Sequence, residues 1–210
     1  MESAGADAVR ARFEGLFARH GLPRAIRSDN GTPFAATTGF LGLTTLSAWW
    51  MSLGIVPDRT QPGRPGQNGS HERMHADLSR EIQGRIPGGV EANQAAIDAW
   101  VDEYNNVRPH EALGMRTPAE FYRDSERAYV SDAEIEYPMG FMPRRVSKHG
   151  CVRVGGLHVF VGSALRGLTV GVQPAGDGTG TLWLAEFPIA VIDMRTASAS
   201  PIDILGEVID

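Results

Sequence analysis

The spacing of apolar residues changes once along this chain of 210 residues. In the first 128 residues, apolar side chains recur at helical spacing, most clearly over residues 6–20 and 91–107. After residue 143, short runs such as CVRV, LHVF and TLWL alternate apolar and polar residues between glycine-containing turns. This change of period predicts an α/β region followed by a separate all-β region.

The same pattern predicts four segments: an α/β domain over residues 1–128, a linker over 129–143, a small β-barrel over 144–195 and a loosely held tail over 196–210. The turn signal Asp29-Asn30-Gly31 follows a predicted strand over residues 24–28. The stretch TQPGRPGQNG, residues 60–69, predicts a loop. Further predictions are helices at 6–20, 41–53, 91–107 and from Ser70 as N-cap, a strand at 55–59, and a short helix from Thr117 to Glu120.

Composition bounds the location of the protein. Hydrophobic residues make up 42% and charged residues 21% of the chain, and no apolar run is long enough to span a bilayer. The N-terminus lacks the features of a signal peptide, and Cys151 is a lone cysteine. We therefore expect a cytoplasmic protein without a membrane partner.

Charge is unevenly distributed. The net charge of −5 argues against nucleic-acid binding by the chain as a whole. Residues 141–170, however, contain no acidic residue, so basic charge is concentrated there. The basic residues of this segment are Arg144, Arg145, Lys148, Arg153 and Arg166.

The stretch NGSHERMH contains the string H-E-x-x-H, which is typical of zinc peptidases. His71 and His75 have the required spacing, with Glu72 as the general base and Glu81 at one position for a third ligand. A helix that starts at Ser70 leaves His71 in its first turn, whereas zinc ligands need rigid support. The peptidase is kept as an alternative.

Two carboxylates suggest different chemistry. Asp29 follows a strand and Glu72 lies in the first turn of a helix, where a carboxylate gains from the helix dipole. Carboxylates from separate elements hold the divalent cations of two-metal phosphoryl transfer. The alternative is that Asp29 only forms a turn and Glu72 only caps a helix.

Several motifs resemble the integrase core of bacterial insertion-sequence transposases, which are DDE recombinases related to retroviral integrases. The resemblance extends in order over residues 13–123. The motifs are HGLP from His20, RSDNGTPF from Arg27, LGI from Leu53, QPGRPGQNG from Gln61, ER from Glu72 and YNNVRPHEALG from Tyr104.

The resemblance implies an RNase H-like fold and DNA transposition or integration, with Asp29 and Glu72 as the second and third catalytic, metal-binding acids and Mg²⁺ or Mn²⁺ as cofactor. Residues 60–69 would form the flexible active-site loop. Partners would be element ends and target DNA, bound by a homo-oligomer. The all-β region resembles the SH3-like C-terminal barrels of such transposases, whose basic strands contact phosphates. Candidate DNA-binding residues are Arg64, Asn68, Arg73, Arg80, Arg144, Arg145 and Lys148, although Arg73 and the barrel residues also suit a solvated surface.

Two departures from the family pattern limit the expected activity. The family's first acid lies on a strand upstream of the helix equivalent to residues 6–20, and this helix begins close to Met1. A basic residue that relatives carry seven positions after the glutamate is Ser79 here. We therefore expect a truncated, catalytically incomplete transposase with an incomplete RNase H-like sheet. The alternatives are a non-catalytic DNA-binding or assembly module and the zinc metallopeptidase.

Overall fold

The computed structural model describes residues 3–36, 39–60, 69–82 and 89–202. The chain divides into two compact units, one formed by Met1–Thr60 with Ser125–Asp210 and the other by Gln61–Asp124. The expected domain boundaries at residues 128, 143 and 195 differ from this division and stay a prediction. Among the described residues, no helix has the length and apolar character needed to cross a membrane.

The first part of the larger unit confirms the predicted alternation of helices and short strands. Helix α1 is followed by Gly21, whose φ of 75° suits a glycine that ends a helix. Strands β1 and β2 pair in parallel, as expected for strands joined through a helix. The elements are α1 (Ser3–His20), β1 (Ala25–Ser28), a 3₁₀ turn (Phe40–Gly42), α2 (Thr45–Ser52) and β2 (Val56–Arg59).

The helix predicted over residues 41–53 is shorter in the structure. Leu41 has a φ of 56°, outside the helical region, so the α-helix cannot include this residue. Instead, Leu41 lies in a 3₁₀ turn that precedes the helix. Helix α2 then starts after Thr44, whose hydroxyl accepts a hydrogen bond from the Ser47 amide at 3.1 Å. The Ser47 hydroxyl accepts one from the Thr44 amide at 2.9 Å, which completes a capping box.

The all-β region contains seven described strands. The alternation of apolar and polar residues predicted that short strands would form this region. Five of them form an antiparallel sheet in the order β3-β6-β7-β8-β9, and β4 pairs with β5 as a hairpin. The SH3-like closure of the strands stays a prediction. The strands are β3 (Met142–Arg145), β4 (Cys151–Val154), β5 (Leu157–Phe160), β6 (Thr169–Pro174), β7 (Thr179–Leu184), β8 (Phe187–Asp193) and β9 (Ser198–Pro201).

The expectation of a loose tail from residue 196 is wrong for its first part. Strand β9 pairs with β8, with Ala190 opposite Pro201 and Asp193 opposite Ser198. Its sequence, SASP, lacks the apolar alternation that predicts a strand. It can still form an edge strand, because pairing with β8 uses the backbone alone. Residues 203–210 lie outside the described part.

Helix α2 explains why the larger unit includes the all-β region. Ala48 and Met51 belong to the cluster formed by the buried side chains of the strands, including Leu182 and Ile192. Trp50 and its neighbour Trp49 belong to a second cluster with α1. A helix that is buried on all sides therefore contributes to both clusters.

The smaller unit is helical. Its described elements are α3 (Gly69–Ile82), α4 (Val90–Asn106) and 3₁₀ turns at Glu111–Leu113 and Pro118–Glu120. The predicted helices are confirmed, but Ser70 lies inside α3 instead of capping it. At the last turn, Glu120 accepts a hydrogen bond from the Thr117 amide at 2.8 Å, in the capping box that the sequence indicates.

Candidate functional site

Asp29 follows β1 directly, as the sequence predicts, and its carboxylate is exposed. One carboxylate oxygen, Oδ1, accepts a hydrogen bond from the Gly31 amide at 3.1 Å. The Asn30 side chain donates to the Thr60 carbonyl at 2.9 Å, and the Thr60 amide donates to the Ser28 carbonyl at 3.1 Å. These bonds tie the turn that carries Asp29 to the end of β2.

Glu72 is exposed in the first turn of α3, also as the sequence predicts. Asp29 belongs to the larger unit and Glu72 to the smaller one. Their convergence on one metal site stays a prediction. The described residues contain no group of three or more His, Cys, Asp and Glu side chains that could hold a metal ion.

Glu81, the possible third zinc ligand, has other partners. Its carboxylate accepts hydrogen bonds from Arg108 Nη1 at 3.0 Å, from Arg108 Nη2 at 2.7 Å and from Trp100 Nε1 at 2.8 Å. The bonds from Arg108, then that from Trp100, lower the pKa of Glu81 to about 2. A carboxylate held in this way is poorly placed to ligate zinc, so the structure gives the peptidase alternative no support.

The YNNVRPH motif contributes this arginine and packs around it. The Arg108 guanidinium lies 5.7 Å from the Trp100 ring centre and 5.9 Å from that of Tyr104. The His110 ring meets the Tyr104 ring edge-on at 4.5 Å, and His110 Nε2 lies 3.3 Å from the Tyr104 carbonyl oxygen. The motif therefore connects the end of α4 to α3 through Glu81.

The predicted DNA-binding residues differ in their surroundings. Arg64 and Asn68 lie outside the described residues. Arg73 is exposed on α3, and Arg80 makes a 3.3 Å ion pair with Asp77 on the same helix while its side chain stays 74% exposed. An ion pair this exposed is weak and leaves the Arg80 charge accessible.

Arg144 and Arg145 are adjacent on β3 but have different environments. Arg144 is half-buried and donates to the backbone carbonyls of Arg153 at 3.0 Å and Pro143 at 2.8 Å. Arg145 is exposed and, with Lys148, lines a cavity of about 540 Å³. The alternation of side chains along a strand separates the two arginines.

Arg166 lines the same cavity, and the sequence reasoning did not select it. It lies in the turn between Ser163 and Gly167, about 20 residues after Arg145. Its position in the basic segment 141–170 is a signal that could have identified it. A local sequence pattern, however, cannot show that Arg145 and Arg166 line the same cavity.

Two family models match the chain. Residues 53–118 match the integrase core domain, and residues 142–200 match the IS481 family transposase, C-terminal domain. The first match includes Glu72, Glu81 and Arg108, and the second includes the basic cavity.

Several curated relatives are proteins of bacterial insertion elements. The chain is 34% identical over 119 residues to the insertion element IS136 protein of Agrobacterium tumefaciens, covering 56% of each chain. It is 31% identical over 102 residues to the 31.7 kDa protein of insertion element IS407 from Burkholderia multivorans, covering 48% of this chain and 34% of that one. The chain thus spans about half or less of the length of these relatives.

A chain of the solved structure of the simian T-cell lymphotropic virus intasome in complex with PP2A regulatory subunit B56 gamma is similar at a TM-score of 0.40 and 13% identity, over 87% of this chain and 63% of that chain. The expected relationship is confirmed by the family models and the insertion-element proteins, independently of this distant likeness. The chain is therefore related to the transposases of bacterial insertion elements, through an integrase core domain and through an IS481 family transposase C-terminal domain.

Proposed function

We propose that this chain takes part in DNA transposition as the RNase H-like core and C-terminal domain of a DDE transposase, with Asp29 and Glu72 as its second and third acids. One observation carries the proposal: Glu72 is an exposed carboxylate in the first turn of a helix, inside the segment that matches the integrase core. Asp29, exposed after a strand that pairs in parallel, supports it.

The two side chains suit Mg²⁺ or Mn²⁺, since both ions prefer carboxylate oxygens. Asp29 Oδ1 already accepts the Gly31 amide, which orients the carboxylate. Such an ion, when bound, would activate the attacking oxygen and stabilise the leaving one. The residues themselves would hold the ion near the scissile phosphate, with exposed Arg73 and Arg80 contacting the DNA backbone.

Metal binding can be tested without catalysis. We would titrate the chain with Mn²⁺ and follow the paramagnetic broadening of backbone amide signals by NMR. Asp29→Asn and Glu72→Gln should each reduce the broadening near residues 29 and 72. Glu91→Gln is the matched control, because Glu91 is also an exposed acid in the first turn of a helix, α4. Equal broadening in Glu72→Gln and wild type would refute the role of Glu72.

Catalysis is the second arm of the test. We propose that DNA cleavage depends on Asp29 and Glu72, because two-metal chemistry that loses one of its carboxylates falls by orders of magnitude. Cleavage of an end-labelled duplex with Mg²⁺ or Mn²⁺ measures this directly. Fast cleavage that Asp29→Asn and Glu72→Gln leave unchanged would show that the catalytic residues are others.

A non-catalytic DNA-binding or assembly role is the second candidate. The observation in its favour is the basic cavity lined by Arg145 and Lys148, which does not depend on Asp29 or Glu72. DNA binding without any Mn²⁺ effect at Asp29 and Glu72 would favour this role. The dimer or higher assembly expected for a transposase is measured by sedimentation with and without DNA.

A further inference from the structure

A second cavity, of about 650 Å³, lies in the larger unit. One wall comes from α1, from the turn after β1 and from the start of α2, and the other comes from the end of β5 and the 3₁₀ turn Ser163–Leu165. The rings of Phe40 and Phe160 line it, so it is called the aromatic cavity below. Its volume lies in the range of cavities that hold a small organic ligand.

The charges that line the aromatic cavity balance. Among its described lining residues, Asp7 contributes a carboxylate and Arg166 a guanidinium. Asp7 is exposed, so its oxygens can accept hydrogen bonds from a ligand. Arg166 Nε donates to the Ser163 carbonyl at 2.8 Å, which orients the guanidinium while its terminal nitrogens keep donors for a ligand. A simple anion or a metal cation would meet a like charge here, so the lining favours a neutral ligand with both donors and acceptors.

The two phenylalanine rings favour a flat ligand. Phe160 follows buried Val159 on β5, and its own side chain is 56% exposed. Phe40 is half-buried and packs against Gly162, where a Cβ atom would lie 2.8 Å from the Cβ of Phe40. Exposed aromatic rings in a concave site stack on flat heterocycles, and nucleobases bind proteins in this way.

The polar groups of the aromatic cavity match the edges of one nucleobase. Arginine forms two parallel hydrogen bonds with O6 and N7 of guanine, and the exocyclic amino group of guanine is a donor that a carboxylate can accept. Thymine has no amino group for a carboxylate. The hydroxyls of Thr32 and Ser163, which also line the cavity, can donate or accept. Guanine is therefore the base whose donors and acceptors both find counterparts in this lining.

We propose that the aromatic cavity binds an unpaired guanine base that stacks on Phe160. Arg166 donates to O6 and N7 of the base, and Asp7 accepts from N1 and from the exocyclic amino group. The base belongs either to a free guanine nucleotide or to an unpaired position of a DNA strand. The strand as a source rests on the proposed function, whereas recognition of the base does not.

The wall of the aromatic cavity is connected to the turn that carries Asp29. Thr32 lies three positions after Asp29, and the Phe34 and Ala35 amides both donate to the Gly31 carbonyl at 3.0 Å. The Gly31 amide in turn donates to the Asp29 carboxylate. A guanine of a DNA strand in this cavity would therefore contact the same turn as the proposed metal ligand. The cavity would then select which base lies beside the cleaved phosphodiester.

Two substitutions separate stacking from recognition of the base edge. Phe160→Ala removes the stacking ring from an exposed position, and Asp7→Asn replaces an acceptor with a donor. Leu157→Ala is the matched control for the first, because Leu157 is 39% exposed on the same strand and is not among the described residues that line the cavity. Glu14→Gln is the control for the second, because Glu14 is an acid of α1 outside the described lining.

The first arm of the test uses the full chain in EDTA and four deoxynucleosides without phosphate. Each is titrated while backbone amide shifts are recorded, and we expect saturable shifts at Thr32, Phe160 and Ser163. Deoxyguanosine should bind about tenfold or more tightly than thymidine. Phe160→Ala should weaken all four alike, whereas Asp7→Asn should weaken deoxyguanosine most. Both control variants should bind as the wild type does.

The second arm identifies the source of the base. Fluorescence anisotropy compares a duplex that carries one unpaired guanine with the same duplex carrying an unpaired thymine. Tighter binding of the guanine duplex, lost in Phe160→Ala, supports a strand base. Selective binding of deoxyguanosine without a preference between the duplexes supports a free nucleotide.

Two results would overturn the inference. One is equal affinity for all four deoxynucleosides, and the other is selective binding that neither Phe160→Ala nor Asp7→Asn changes. Either result leaves the proposed function intact, because that function depends on Asp29 and Glu72. A failure of Mn²⁺ to act at those two acids, with deoxyguanosine still bound selectively, would refute the proposed function and support the base site.

Discussion

Arg108 and Glu81 are joined by two parallel hydrogen bonds, from Nη1 to Oε1 at 3.0 Å and from Nη2 to Oε2 at 2.7 Å. The pair connects the chain after α4 with the last turn of α3, nine residues beyond Glu72. Trp100 of α4 donates to the same carboxylate. The pair therefore contributes to holding the helix that carries Glu72 against α4.

Arg108→Ala should loosen the packing of α3 on α4, because it leaves the Glu81 carboxylate with Trp100 as its remaining described donor. Arg108→Lys keeps the charge but cannot form the fork, so we expect an intermediate effect. Amide hydrogen exchange along α3 measures the change, which should amount to a severalfold loss of protection.

Arg80→Ala serves as the control for Arg108→Ala. It removes an arginine from the same helix, and its exposed ion pair with Asp77 contributes about 0 to 1 kcal/mol at most. Equal loss of protection in the Arg80 and Arg108 variants would mean that the fork does not hold α3.

Stability of the smaller unit should depend on acid pH through Glu81. Its pKa is lowered from the ordinary value of 4.5 to about 2 by Arg108 and Trp100, so the folded state favours the ionised carboxylate. This contribution is complete above pH 4.5 and is lost as the pH falls towards 2. The Glu81→Gln variant should be less stable than the wild type at neutral pH. As the pH falls from 4.5 towards 2, the free energy of unfolding of the variant should decrease less than that of the wild type. Urea unfolding followed through α4 amides at several pH values tests this.

Asp193 provides a matched comparison in the other unit. Hydrogen bonds from Arg195 lower its pKa to about 2 as well, and it ends strand β8. Asp193→Asn should change the acid sensitivity of the strand amides but leave that of α4 unchanged. If both variants altered both units alike, the effect would be one of net charge.

Local elements were predictable because their signals are local. The helix period of α1, the capping box from Thr117 to Glu120 and the turn after β1 are each set by residues within a few positions. The placement of Asp29 after a strand and of Glu72 in a first helical turn follows from the same signals.

Side-chain partners were not predictable from local signals. Arg108 and Glu81 are 27 residues apart, and the sequence suggested only a zinc ligand for Glu81. Arg144 and Arg145 look equivalent in sequence until the pairing of β3 with β6 assigns them to different sides. The grouping of α2 with the strands depends on tertiary packing, which short apolar runs do not specify.

Adjacent residues on β8 should differ sharply in their effect on stability. Ile192 is fully buried in the cluster of the strands, whereas Val191 is 45% exposed. Ile192→Ala should cost about 2 to 5 kcal/mol through lost apolar contact and the cavity left behind. Val191→Ala should change stability by about 0.5 kcal/mol or less. Chemical unfolding of both variants measures the difference, and equal losses would contradict the assignment of the two faces.

Arg127 should contribute strongly to the stability of the larger unit, because its side chain connects the segment after residue 125 to residues that flank β1 and α2. Its guanidinium donates to the carbonyls of Pro23 at 3.0 Å, Leu53 at 2.8 Å and Gly54 at 3.0 Å. Gly54 has a φ of 69°, which favours glycine, and a methyl group there would lie 2.7 Å from Arg127 Nη2 and would displace the guanidinium.

Arg127→Ala would leave three half-buried carbonyls without this donor. Hydrogen bonds to charged groups contribute about 1.5 to 3 kcal/mol, so we expect a loss of that order in chemical unfolding. Arg123→Ala is the matched control, since Arg123 is exposed and donates to the nearby carbonyls of Ala119 and Tyr122. A loss of stability that is confined to the Arg127 variant would mean that this side chain holds the segment after residue 125 in place. Equal, small losses would mean that the backbone bond from the Leu22 amide to the Arg127 carbonyl is sufficient without this side chain.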